Sequence, residues 1–318
     1  MAGARAQIVK PQRRLVFEGL LAPFADHKVR FHAGCGKGIE RADAQYGATR
    51  PGNSDHDLLQ KSIPNYFPYA GSTEIELQHK RANNGEYVVG QDFQFEPSLF
   101  KYLRDLKKNN ERPWFKANKA RYEDELRSPM LRFIENFAPH LEKISVNFLA
   151  DARPVGGSLF RIYHDTRFAK DKTPYKTHAG AHFRHVRAKD AHTPGFYLHM
   201  EPGNVFMGAG IWHPDNPTLT KIREAIVADP KRWKRISTAK ALKNANCTLV
   251  GDSLKRPPRG FDPAHPLIED LKRKDFILAV NTSEKDALTP DFTKQFAKFC
   301  KTAAPVNEFI TRALNLEW

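Results

Sequence analysis

Between Glu96 and Leu316 the apolar residues of this chain change period twice, from about 3.6 residues to 2 and back. Such a chain has to pair one sheet with helices gathered before and after it, because alternating βαβ units would mix the two periods throughout. Pro97 suits a first helical turn, with Leu99, Leu103 and Leu106 at helical spacing and a stop at Asn109-Asn110. Pro113 opens a second stretch, in which Tyr122, Leu126, Met130, Ile134 and Phe137 continue one apolar face to Pro139, with a break or bend near Ser128-Pro129. Strands are expected at 158–164, 178–186, 195–201, 204–212 and 276–281, and Pro202-Gly203 is a good type II turn between the third and fourth. Helical patterns return at 219–228, 231–242, 266–272, 290–302 and 306–316. The expectation is an α+β fold, an antiparallel sheet of about four to five strands flanked by N- and C-terminal helices. It forms a single domain over residues 92–318, preceded by an extension, 1–91, that is mostly disordered or loosely structured.

Alternation sorts the strand residues into two faces. Phe160 and Ile162, Ala179, Ala181 and Phe183, Phe196, Leu198 and Met200, and Val205, Met207, Ala209 and Ile211 take the core side. The other side collects Arg161, Tyr163 and Asp165, His178, Gly180, His182 and Arg184, Tyr197, His199 and Glu201, and Phe206, Gly208, Gly210 and Trp212. A solvated face of an antiparallel sheet is polar in any case, but it usually collects Lys, Glu and Thr. Arg, Tyr, His and Trp are the types that hydrogen-bond, stack and titrate near neutrality, and the two glycines would leave room above them.

The loop that follows adds Arg167, Lys170, Asp171, Lys172, Tyr175 and Lys176, so that residues 161–176 carry five basic side chains against two acids. Guanidinium groups grip phosphate or carboxylate bidentately and lysines add point charge, whereas Asp165 and Asp171 offer the competing role of holding those cations in structural ion pairs. A second basic run, Lys255-Arg256-Pro-Pro-Arg259-Gly, is a rigid turn that would complete a clamp if it folded against the first. The formal net charge is +15, and residues 97–318 hold nearly all of it, with 39 Lys and Arg against 25 Asp and Glu. A field of that sign attracts anions.

Several chemistries lack their signatures. No stretch approaches the roughly 18 uninterrupted apolar residues of a membrane-spanning helix, so no membrane association is expected. Three scattered cysteines, Cys35, Cys247 and Cys300, make neither a disulfide framework nor a structural zinc site. Among 13 histidines there is no His-Glu-x-x-His, and His178 and His182 are ~13 Å apart along a strand, too far to share one ion. The reading therefore assigns no metal, and no motif names a cofactor or an oligomeric state. Residues 33–38 lack phosphate-loop spacing, and neither a nucleophile elbow nor a dinucleotide fingerprint occurs. The N-terminus has Arg5, Lys10, Arg13 and Arg14 before Glu18 but no apolar secretory core, which points to an intracellular, cytoplasmic protein and leaves mitochondrial and nuclear addresses open.

A further pattern lies in Asn109-Asn110-Glu-Arg112-Pro-Trp114-Phe115-Lys-Ala-Asn118-Lys119-Ala-Arg-Tyr122, residues 161–178, Gly208-Ala-Gly210-Ile-Trp212-His-Pro214, Ile222-Arg223-Glu-Ala-Ile226 and residues 254–266. In order and spacing, over about 92–316, these stretches resemble the conserved hypothetical protein family known as domain of unknown function 2461. The resemblance implies one domain and brings no activity, cofactor or catalytic residue with it. The chain departs from the family pattern at His164, in place of arginine, and at Ala169, in place of serine. Within the first stretch Trp114, Phe115 and Tyr122 read as core, and Asn118 and Lys119 as further ligand contacts. Function is thus expected to be the binding of a phosphate-bearing or other anionic small molecule, in enzymatic use or otherwise. The binding set is Arg161, Tyr163, Asp165, Arg167, Lys170, Asp171, Lys172, Tyr175, Lys176, His178, Trp212, Lys255, Arg256 and Arg259. The alternatives are a non-catalytic nucleic-acid-binding module and a protein-interaction or scaffold domain.

Overall fold

The computed structural model describes residues 93–165, 171–187 and 192–318. The expectation for residues 1–91, and the candidate ligands Arg167 and Lys170, lie outside the described residues.

Helix α1 (Pro97–Lys108) starts on a proline whose missing N–H costs nothing in a first turn, and it ends with Lys107 and Lys108 beside the negative end of the helix dipole. It buries Leu99, Phe100, Tyr102, Leu103 and Leu106. The short α2 (Arg112–Ala117) follows, and then a continuous rod: one turn at Lys119–Arg121, a π-helical segment at Tyr122–Arg127, and α3 (Ser128–Glu142). The break expected near Pro129 is therefore a widened turn. A proline inside a rod has no N–H to give to the preceding turn and its ring crowds a carbonyl there, and the i→i+5 spacing relieves both.

Five strands form one sheet in the order β1-β2-β3-β5-β4, with every neighbouring pair antiparallel. They are β1 (Ala179–Arg184), β2 (Gly195–Glu201), β3 (Asn204–Ile211), β4 (Thr248–Val250) and β5 (Phe276–Thr282). Gly203 takes φ +79°, as the third position of a type II turn demands. The fold is α+β. Three residues of β4 are too few to show a period, so that strand has no signal of its own. Residues 158–164 do not form a strand; they make isolated bridges, Leu159 with Ala181 and Tyr163 with Tyr175. The chain kinks between them, so Ile162 enters the main core while Phe160 lies over the opposite face, against the alternation expected of it.

After β3 come α4 (Asn216–Ala228), α5 (Pro230–Ser237), α6 (Lys240–Asn244), α7 (Ile268–Leu271), α8 (Glu284–Ala287) and α9 (Phe292–Ala313). The single helix expected at 231–242 divides near Thr238, whose hydroxyl donates to the Lys234 carbonyl at 2.6 Å. The two helices expected on either side of Pro305 are instead one, α9. A mid-helix proline costs ~3 kcal/mol, but Phe296, Phe299, Cys300, Ala303, Val306, Phe309 and Ile310 keep one buried stripe across it, and each buried Phe offsets ~1.5–3 kcal/mol. Helices α3 and α9 close one face of the sheet, with Phe137 4.7 Å from Phe183 and Phe296 5.6 Å from Phe183 between ring centres.

Among the described residues no helix is long and apolar enough to cross a membrane. Cys247 and Cys300 are buried as free thiols, and burial pushes both up, Cys247 to about 12.

Candidate functional site

Two features sit on or beside the side of the sheet opposite α3 and α9. The first is a basic pocket. Residues 162–164 lie beside residues 174–176: the Lys176 N–H donates to the Ile162 carbonyl at 2.8 Å, and the His164 N–H to the Pro174 carbonyl at 2.9 Å. Asp171 shapes the return, accepting from the Thr173 backbone N–H and hydroxyl, both at 2.9 Å, and those bonds hold its carboxyl below the usual carboxylate range. Asn110 pins this hairpin to the α1–α2 connection, donating to the Tyr175 carbonyl at 2.8 Å and accepting from the Tyr175 N–H at 3.1 Å. The rings of Phe115 and Tyr175 then stack at 4.0 Å and 16°.

Between α2 and the hairpin lies a cavity of about 610 Å³ lined by Arg112, Phe115, Lys116, Lys119, Tyr163, His164, Lys172, Pro174 and Tyr175. Among the described residues no carboxylate is in that lining. Lys119 pairs with Glu123 at 2.7 Å and sits 4.4 Å from the Tyr122 ring centre. Burial acts to raise the Glu123 carboxyl, but Lys119 and Arg127 outweigh it and leave it below its usual range. Arg112 and Lys116 are exposed and form no hydrogen bond or ion pair with the described residues. Tyr163, half exposed, stands at the rim with its ring 5.5 Å from Tyr175.

The second feature is the sheet face itself, which is buried although its residues are polar: His199 is fully buried, and His182, Tyr197, Phe206 and Trp212 are each less than a tenth exposed. Tyr197 reaches His199 Nδ1 at 3.1 Å, and His199 Nε2 reaches Glu201 Oε2 at 3.4 Å. Burial lowers His199 and keeps it neutral, against the opposing pull of Glu201. Burial also acts to raise Glu201, but hydrogen bonds from His199 and Asn204 and the charge of Lys107, 3.9 Å away, outweigh it and leave the carboxyl ionised. The polarity of the relay follows. Glu201 accepts from His199 Nε2–H, so Nδ1 is the lone pair, and Tyr197 O–H donates to it. The His178 ring lies 4.5 Å from that of His199.

The candidate ligands divide among these places. Tyr163, Lys172 and Tyr175 line the basic pocket. Arg161 is exposed outside the lining, and Asp165 is half-buried. Asp171 forms the turn. Lys176 is buried against Phe160, and His178 is half-buried beside the relay. Trp212 lies over the sheet, stacked on His213 at 4.3 Å, and His213 Nδ1 is anchored to the buried Asp275 at 2.8 Å. Lys255, Arg256 and Arg259 are exposed and line neither cavity. Their loop follows β4 at one edge of the sheet while the hairpin precedes β1 at the other, four strand spacings or ~19 Å across, so the strands do not bring the two basic segments into one clamp. Arg112 and Lys116 are the pocket cations that sequence reasoning left out of the binding set. The spacing of Arg112, Lys116 and Lys119, four and three residues, puts them on one helical face and is the signal that finds them. Among the described residues no group of three or more His, Cys, Asp or Glu is placed to hold a metal ion.

The family described as "Conserved hypothetical protein (DUF2461)" matches residues 98–309, which contain both cavities. No curated protein and no solved structure matches the chain.

Proposed function

Because the chain belongs to this family of conserved hypothetical proteins, whose description names no activity, we propose its function from the pocket itself: it binds a phosphate-bearing or other anionic small molecule between α2 and the 162–176 hairpin. The observation that carries this reading is a lining of four cations, Arg112, Lys116, Lys119 and Lys172, around about 610 Å³ with no carboxylate among the described lining residues. That volume lies in the range of small-molecule sites, and like charges gathered around one cavity repel one another, a cost that a bound anion relieves. The arginine supplies a planar fork for phosphate and the lysines supply point charge. Phe115, Tyr163 and Tyr175 give the ligand's uncharged part a surface to lie on. Asn110, which touches no lining cation, sets the distance between the two walls.

The test is equilibrium binding of inorganic pyrophosphate and of a nucleoside monophosphate to the full chain. Arg112→Ala with Lys116→Ala should abolish saturable binding, and Lys255→Ala with Arg256→Ala should leave it unchanged. Binding of either probe that survives the first pair and is lost with the second refutes the assignment. If single-stranded oligonucleotides bind more tightly than both probes, with a steep salt dependence spread over both basic segments, the nucleic-acid reading replaces it.

A further inference from the structure

The sheet face holds a second, smaller cavity that the basic pocket does not share. Phe160, His182, Tyr197, Phe206 and Trp212 stand around it, and the backbone of Gly208 and Gly210 forms its floor. The centre of a water-sized sphere can move through about 50 Å³ of it, against the ~10–15 Å³ that a single water requires. Among the described residues no lysine, arginine, aspartate or glutamate is in its lining.

Three of the four glycines on this face are demanded by the fold. A Cβ at Gly180 would meet the Tyr197 hydroxyl at 2.5 Å, and one at Gly195 would meet His182 Nε2 at 2.2 Å. Gly210 has φ +127°, and a Cβ there would meet the Phe276 carbonyl oxygen at 1.9 Å. Gly208 is different. Its nearest neighbour to an added Cβ is Tyr197 Cβ at 3.7 Å, an ordinary contact, and its φ is not left-handed. Alanine would fit at 208, and a glycine inside a strand weakens it. What glycine provides at that position is the open floor of the cavity.

A second, independent observation concerns His182. It is one of the lining residues, less than a tenth exposed, and its Nδ1 is buried with no hydrogen-bond partner. Buried polar atoms in native proteins are nearly always partnered, and an exception calls for a missing group. Tyr197 spends its hydroxyl on His199 and contributes its ring to the cavity wall.

We propose that this cavity is a binding site for a small, neutral, planar group bearing a hydrogen-bonding O–H or N–H, lying on Gly208 between the aromatic walls and hydrogen-bonded by His182. Neutrality follows from the lining, where a charge would be desolvated without a partner. Planarity follows from the rings of Phe160, Phe206 and Trp212, which favour offset or edge contacts with another ring. Burial keeps His182 itself neutral, lowering it to about 4.

The probes are phenol, toluene and benzoate, followed by ligand-observed NMR on the full chain. Phenol should bind saturably and more tightly than toluene or benzoate. Gly208→Ala should weaken phenol at least about tenfold while its melting temperature stays within about 2 °C of wild type or rises. His182→Phe should remove the preference for phenol over toluene. Arg112→Ala with Lys116→Ala should leave phenol binding unchanged, which separates this site from the basic pocket. The proposal is overturned if wild type shows no saturable phenol binding, if a folded Gly208→Ala binds phenol as wild type does, or if benzoate binds more tightly than phenol.

Discussion

The two faces of the sheet are made by alternate residues of the same strands, and both are buried, but by different physics. On one face Ala181, Phe183, Phe196, Leu198 and Met207 meet the phenyl rings of α3 and α9, a hydrocarbon layer held by area and close packing. On the other, His182, Tyr197 and His199 lie around glycines, with Tyr197 hydrogen-bonded to His199 and a cavity left beside His182. The first face depends on volume. The second depends on the absence of particular Cβ atoms and on polar groups finding partners, so a small change in shape or protonation should disturb it where the first would only lose contacts.

That contrast orders the expected effects. Phe183→Ala, in the hydrocarbon layer, should lose ~3–5 kcal/mol in urea unfolding; a loss near 1 kcal/mol would mean that the layer is loosely packed. Protonation should distinguish the second face. His182 is lowered from 6.5 to about 4, so the unfolded chain binds a proton that the folded chain refuses. Its contribution is intact above pH 6.5 and is lost as pH falls toward 4, by up to about 3 kcal/mol. The stability gap between wild type and His182→Phe should therefore shift in the variant's favour across that window, and a pH-independent gap would contradict the buried neutral imidazole. Gly195→Ala should cost ~1–3 kcal/mol by pushing a methyl into His182, and much of that cost should vanish in a His182→Ala background; additivity of the two would show that the ring does not lie over Gly195. The smallest effect concerns the basic pocket: Asn110→Ala removes two hydrogen bonds to Tyr175, worth ~1–2 kcal/mol in melting experiments, and should weaken anion binding more than it weakens the fold.

Periodicity placed the residues of β1, β2 and β3 on their faces, because alternation is a local property that the backbone imposes. It did not say whether the second face was covered. Tyr197 reads as solvated from its neighbours in sequence, and its burial is decided by residues far along the chain, among them Phe160, whose ring centre lies 6.1 Å away and which changes face at a kink that no alternation signals. Pro305 misled for the opposite reason: the local signal for a break is strong, and the packing of α9 on the sheet overrides it. Charge marked the hairpin through Lys172, but the pocket's opposite wall comes from Arg112 and Lys116, some fifty residues earlier. The Asn110 pairing with Tyr175 and the stacking of Phe115 on Tyr175 bring those segments together, and pairing of a side-chain amide with a distant backbone leaves no pattern in composition or period.

The most direct test of the basic pocket is to locate a heavy anion in the folded protein. Crystals soaked in tungstate should show their dominant anomalous peak among Arg112, Lys116, Lys119 and Lys172. A dominant peak at Lys255, Arg256 and Arg259, or no ordered peak near α2, would contradict the account.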